Sequence, residues 1–185
     1  MSTTLLIVII LLAVLVLYFI SIQNKLVKAD EICKNSLKQI NVQQVSRFDA
    51  LSALVKLTKD YSAHEFETLT KTIEARKVVA SAAPTVADIN ANEQALSGLK
   101  AQINAVAESY PNLKADEMYL KTMNSVESYE ENVRLSRMTF NDTVTRYNNV
   151  VRMFPSSVVA SILSFPIRDY LTEDTKKTDY PDALK

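Results

Sequence analysis

Leu5-Leu-Ile-Val-Ile-Ile-Leu-Leu-Ala-Val-Leu-Val-Leu-Tyr-Phe-Ile20 is an uncharged apolar run in which fourteen of sixteen residues are Leu, Ile, Val or Phe. As a helix it reaches about 24 Å, and the tolerated Thr3, Thr4, Ser21 and Ile22 extend it to about 30 Å, the thickness of a hydrocarbon core. At roughly −0.3 to −0.6 kcal/mol for each such residue near the helix centre, insertion is favoured. Residues 1–22 therefore read as a transmembrane anchor, carried by Leu5, Ile10, Val14, Phe19 and Ile20. A cleavable signal peptide would need a basic stretch before the run and small-x-small spacing after it. No Lys or Arg precedes Leu5, and the exit Tyr18-Phe19-Ile20-Ser21-Ile22-Gln23-Asn24 lacks that spacing, so an uncleaved anchor is expected. Lys25, Lys28, Lys34 and Lys38 follow the run. With no basic residue ahead of it, they place a short N-terminus outside and the bulk in the cytoplasm of a single-pass cell-membrane protein.

Beyond the anchor about 160 residues remain, enough for one domain with a continuous core. Twenty-one basic and twenty-one acidic side chains cancel, so no strong field exists to recruit nucleic acid. Cys33 is the only cysteine; it cannot form an internal disulfide, fits a reducing compartment, and reads as a small core residue. Glycine usage decides the fold class. Gly98 is the only glycine and no proline precedes Pro84. Sheets and nucleotide-binding loops draw on glycine where φ is positive, so an all-α chain is expected. The prolines at 84, 111, 155, 166 and 181 then separate helices, because proline lacks an N–H and clashes with the preceding turn.

Apolar residues at Leu26, Cys33, Leu37, Ile40, Phe48, Leu51, Leu54 and Val55 form a helical stripe. Nothing between Ile22 and Lys59 forces a break, which leaves the anchor free to run straight into the first soluble helix. Ser62-Ala-His-Glu65 fits a capping box opening a second helix, with Phe66, Leu69, Ile73 and Val79 or Ala80 on its buried side, ending in Ala80-Ser-Ala-Ala-Pro84. Thr85-Val-Ala-Asp88 is the next expected cap, followed by a helix through Ile89, Leu96, Leu99, Ile103 and Val106 that stops before Tyr110-Pro111.

Between Pro111 and Pro155 the apolar positions Tyr119, Met123, Val126, Val133, Phe140, Val144, Tyr147, Val151 and Phe154 keep a seven-residue register. Some 36 residues of helix correspond to about 54 Å, with coiled-coil-like packing. Glu130 and Arg137 occupy two slots of that register. Buried charges must be paired. The two side chains either snorkel to the helix edge or form a buried polar pair that meets groups on opposing helices, such as Arg47 or Asn41, and sets the register.

Two sets of residues resemble the LemA family. The first comprises Ile40-Asn-Val-Gln-Gln-Val-Ser-Arg47-Phe-Asp49-Ala-Leu-Ser-Ala-Leu-Val55, Tyr61-Ser-Ala-His64-Glu65 and Glu74-Ala-Arg76. The second comprises Ala107-Glu108-Ser-Tyr110-Pro111-Asn-Leu113-Lys-Ala115, Glu130-Glu-Asn132-Val133, Arg137, Tyr147-Asn148 and Phe154-Pro155. The resemblance covers almost the whole chain, anchor included. It implies a bacterial single-pass membrane protein, an antiparallel helical bundle and no established molecular activity. The expected architecture is an N-terminal transmembrane helix continuous with or adjoining an elongated antiparallel bundle over 23–171, with three to four long helices, a short C-terminal helix and a polar tail at 172–185. Three positions depart from the family pattern: Leu37 stands in place of its usual tryptophan, Ser52 of its proline and Asp60 of a frequent glycine.

No catalytic, cofactor-binding or metal-binding pattern emerges, and an enzyme is not expected. His64-Glu65-Phe-Glu67-Thr68 approaches a metalloprotease H-E-x-x-H, but Thr68 replaces the second histidine and His64 is the only one in the chain. Ser-His-Asp chemistry lacks a G-x-S-x-G elbow. Asn141-Asp-Thr143 fits a glycosylation sequon, but mid-helix it reads as surface polarity. Ser156-Ser-Val-Val-Ala-Ser-Ile-Leu163 is a short apolar helix with Pro155 suited to its first turn. Too short to span a bilayer, it is left to cap the bundle, lie on the membrane or meet a neighbouring subunit. The function expected is that of a membrane-anchored scaffold or adaptor whose partners are the lipid bilayer, unidentified proteins or its own copies. The alternative is a filament or cage subunit whose apolar helices pack together in the assembly core.

Overall fold

In the computed structural model of the chain the described residues are 3–75 and 81–172. Arg76, Val79, Ala80 and the expected tail after Thr172 lie outside the described residues. The fold is all-α, with no strand among the described residues.

Helix α1, Thr3–Thr58, runs unbroken for 56 residues, about 84 Å at 1.5 Å per residue. No proline or glycine interrupts it, so the apolar run continues directly into the soluble stripe, and Ser52 is simply part of the rod. Helix α2, Ala63–Ala75, begins where expected. Ser62 Oγ accepts from the Glu65 N–H at 3.3 Å, but the Ser62 N–H donates to the Thr58 carbonyl at 2.9 Å. That carbonyl takes the place of the glutamate arm of the box. The turn between α1 and α2 closes without glycine at Asp60, through Tyr61 N–H to the Thr58 carbonyl at 3.1 Å.

Helix α3, Val86–Ser109, carries the complete reciprocal box: Asp88 N–H to Thr85 Oγ1 at 3.2 Å, and Thr85 N–H to Asp88 Oδ2 at 2.8 Å. A single turn α4, Pro111–Lys114, buries Leu113. Helix α5, Glu117–Arg152, is capped by Asp116 Oδ1 on the Tyr119 N–H at 3.0 Å. Short α6, Ser156–Ile162, follows, with Pro155 at its N-cap, one residue ahead of the first-turn position expected.

The stripe of α5 stops earlier than its register suggested. Phe154 is 83 % exposed, because Pro155 excludes the residue before it from helical backbone and the helix ends at Arg152.

Pairings fix the directions. Arg47 meets Glu130 and Tyr61 meets Asp116, so α5 runs antiparallel to α1. Gln44 meets Ile89 and Arg47 meets Glu93, so α3 runs parallel to α1, with α2 returning between them. Two apolar clusters result. One joins Ile22, Leu26, Cys33, Leu37 and Ile40 of α1 to Val133, Phe140, Val144, Tyr147 and Val151 of α5, closed by Val159, Ala160 and Leu171. The other joins Leu51, Leu54 and Val55 to Leu69, to Leu96, Leu99 and Ile103, and to Tyr119 and Val126.

Candidate functional site

Between those clusters lies a polar layer. From Cys33 the buried positions of α1 include a row at 37, 40, 44, 47, 51, 54 and 58, flanked by Ser36, Asn41 and Val55; the row advances in alternate steps of three and four that keep one face inward. Gln44 and Arg47 occupy the middle of that row. The Arg47 side chain is 2 % exposed, and it reaches Glu93 of α3 at 2.7 Å and Glu130 of α5 with its other terminal nitrogen. Lys100 of α3 holds the second Glu130 oxygen at 2.6 Å. Gln44 Nε2 donates to the Ile89 carbonyl at 2.9 Å and to Glu93 Oε2 at 3.3 Å. Two cations and two carboxylates balance, and three helices are tied at one level. A guanidinium fork suits this task because its two terminal nitrogens serve separate carboxylates.

Glu130 thus meets Arg47, one of the two partners expected for it. Arg137 does not join them. It lies two turns further along α5 and donates from Nη2 to the Thr172 carbonyl. Asn41, the other expected partner, accepts from the Ser81 N–H at 3.0 Å and holds the approach to α3.

Arg137 belongs to a second polar array, in which α5 grips an extended strap formed by residues 165–172. Tyr147 Oη donates to the Pro166 carbonyl at 2.7 Å. The Asn148 amide donates to the Arg168 carbonyl and accepts its N–H, both at 3.0 Å. Asn141 does the same for Leu171, at 3.0 and 2.9 Å. Two asparagines seven residues apart therefore satisfy the strap's backbone as a neighbouring strand would, which answers the demand that inward backbone groups be paired. Asn141 is not the surface residue its sequon suggested.

The strap returns to α1 through Arg168, whose guanidinium lies 5.4 Å from the Tyr147 ring centroid and donates to Asp30. Lys34 adds a 2.8 Å contact to the same carboxylate. Burial works to raise the Asp30 carboxyl, but hydrogen bonds and charge from Lys34 and Arg168 outweigh it and hold the group below its ordinary value. Burial, followed by the nearby Asp30 charge, pushes the Tyr147 phenol up. Burial likewise pushes up the Cys33 thiol, which is fully enclosed. A raised thiol has little thiolate character and suits a core residue. His64 stands near the start of α2, where its carbonyl accepts from Thr68 Oγ1 at 3.0 Å. Among the described residues no three His, Cys, Asp or Glu side chains gather as metal ligands would.

The expected anchor residues stand apart from both arrays. Leu5, Ile10, Val14 and Ile20 project beyond the bundle, and large apolar side chains from Leu5 to Leu17 are 48–67 % exposed. Phe19 differs, packing against the first cluster. By length and composition α1 is apolar enough to cross a membrane near its N-terminus.

The LemA family model matches residues 36–183, most of the chain. The chain belongs to the LemA family. No curated protein matches it. The LemA match starts at Ser36, so it spans the polar layer and the strap and leaves the apolar run ahead of it. Residues that carried the LemA resemblance are fasteners of this fold: Arg47 and Glu130 in the layer, Tyr61 on Asp116, and Arg137, Tyr147 and Asn148 on the strap. Sequence periodicity passed over Arg47 as a core position; Phe48, which it included, packs half-buried against the second cluster. The signal available was the three-four spacing itself, which continues through Gln44 and Arg47 once polar residues are admitted to the row.

Proposed function

We propose that this LemA-family chain is a membrane-anchored helical scaffold or adaptor, a single-pass protein with a short outer N-terminus and a cytoplasmic body, acting through contact surfaces. The carrying observation is the apolar rod of α1 standing clear of the bundle while every polar array described above is spent on holding helices together. An exposed apolar surface of that length needs a partner, and a hydrocarbon core matches its length and composition. A body fastened internally by its charges has contacts, not bond-making chemistry, left to offer.

Membrane fractionation tests the first half. The full chain should stay with membranes through high-salt and alkaline washes and leave only in detergent, and protease added from the cytoplasmic side should remove its C-terminal tail. Release by salt, or recovery as a lipid-free assembly, would favour apolar helices packed against one another in a filament or cage. Crosslinking in intact cells followed by identification of neighbours tests the second half.

A further inference from the structure

The end of the bundle from which the rod emerges carries a second apolar surface. α6 buries Val159 and Ala160 in the first cluster, while Val158 and Ile162 on its other side are more than half exposed. Met153 is 62 % exposed. Together with Phe154 these side chains form an apolar rim on the α5–α6 corner that no described residue covers.

The position of the corner along α1 identifies what covers it. Met153 and Phe154 line an open groove of about 540 Å³ together with Tyr18, Ser21 and Lys25 of α1. Tyr18 lies inside the apolar run and Lys25 is the first charge after it. Seven residues of helix separate them, about 10 Å. The headgroup layer on each side of a bilayer is roughly 5–8 Å thick, so the groove straddles the boundary between acyl chains and headgroups whenever the rod is inserted. Arg146 and Asn149 of α5 also line it, and among the described residues no acidic side chain does. A groove lined by Tyr18, Met153 and Phe154 together with the cations Lys25 and Arg146 matches the profile of an anionic lipid surface, apolar inside and negative at the headgroups.

We infer that the α5–α6 corner is an interfacial foot: Met153, Phe154, Val158 and Ile162 sit in the upper acyl region beside the anchor, and Lys25 and Arg146 meet lipid phosphates. The inference rests on the membrane reading above and deepens it, since the rod then holds the body by a point and the foot fixes its rotation and tilt. Capping the core and lying on the membrane, left as alternatives by the sequence, fall to opposite faces of the same short helix.

The chain contains no tryptophan, so single tryptophans report cleanly. Phe154→Trp, Ile162→Trp, Val14→Trp in the rod and Met118→Trp at the far end are placed in the full chain, reconstituted into phosphatidylcholine–phosphatidylglycerol vesicles containing lipids brominated on the acyl chain. Val14→Trp should be strongly quenched and Met118→Trp unaffected. Phe154→Trp and Ile162→Trp should emit at shorter wavelength than Met118→Trp and lose most of their emission, more to shallow than to deep bromines. If Val14→Trp escapes quenching, the membrane reading itself fails. Quenching of Val14→Trp while both corner tryptophans behave like Met118→Trp overturns the foot alone. Corner tryptophans shielded from aqueous iodide yet untouched by bromine also overturn it, since a second protein surface would then cover them.

Discussion

At the scale of single residues, two positions test how the fold tolerates departures from ideal chemistry. Arg47 is a charge in the middle of an apolar row, held by Glu93 and Glu130. Arg47→Met removes the charge between two carboxylates, leaving Lys100 as the cation on Glu130 and only the neutral Gln44 amide and Ser97 hydroxyl on Glu93. Because the glutamates retain 20 % and 31 % exposure, the loss should lie at the lower end for a broken buried pair, about 2–4 kcal/mol, read as a lower denaturation midpoint. Adding Glu93→Gln and Glu130→Gln should recover part of it, and an additive further loss would show that the layer is not a unit. Ser164 is the second case. It holds φ at 56° while its N–H bonds the Ser161 carbonyl at 3.2 Å and the Phe165 N–H bonds the Ala160 carbonyl at 2.9 Å. This is the helix stop usually built on glycine, placed on serine. Ser164→Gly should raise stability by about 0.5–1 kcal/mol in thermal melts. Arg47 was legible only as a partner for Glu130, because hydrophobic periodicity discounts an arginine as a core position; Ser164 was not legible at all, since a left-handed serine has no composition signal in a chain so poor in glycine.

Among the elements, those defined by local chemistry were readable and those defined by tertiary contact were not. The Thr85–Asp88 box involves residues three apart, so its spacing alone announces the start of α3. The seven-residue register of α5 follows from residues on one helix face. The strap has no periodicity, because its backbone is satisfied by Asn141 and Asn148, which are 30 and 20 residues distant. Its fastening to α1 depends on Asp30, and this gives it a pH dependence. The folded Asp30 carboxyl lies below its ordinary value, so its contribution is fully present above the unfolded pKa of about 3.9 and is lost as pH falls through the lower folded value. Asp30→Asn should therefore destabilise the chain at neutral pH by about 1–2 kcal/mol, with partial exposure limiting the figure. Amide exchange of 165–171 should accelerate in the variant at neutral pH. The stability difference between native and variant should be flat down to about pH 5 and shrink on acidification below that. A difference that widened toward acid would contradict the arrangement.

On the scale of the whole molecule, the consequence of one uninterrupted α1 is mechanical. Ile22 and Leu26 are already buried in the first cluster, so the rod enters the bundle without a hinge and cannot pivot independently of it. From Ile22 to Thr58 the helix advances about 54 Å, a length that the 36 residues of α5 also match. With the rod inserted as proposed, the far end at Tyr61 and Met118 should stand about 54 Å from the membrane, held there by helix continuity at the exposed residues Gln23 and Asn24. Gln23→Pro removes an i to i−4 hydrogen bond and costs about 3 kcal/mol at that turn. Phe19 and Ile22 lie on the rod side of the kink and lose their place at the edge of the first cluster, while the rest of that cluster, from Leu26 onward, and the whole of the second lie beyond it and should stay packed. Energy transfer from a dye on Met118→Cys to acceptor lipids, with Cys33 protected by burial, should be weak and uniform in the otherwise native chain. In Gln23→Pro it should become stronger and broadly distributed while circular dichroism shows nearly the same helix content. Unchanged transfer would mean that the α5–α6 corner alone sets the posture of the body, and Phe154→Asp combined with Gln23→Pro should then release it.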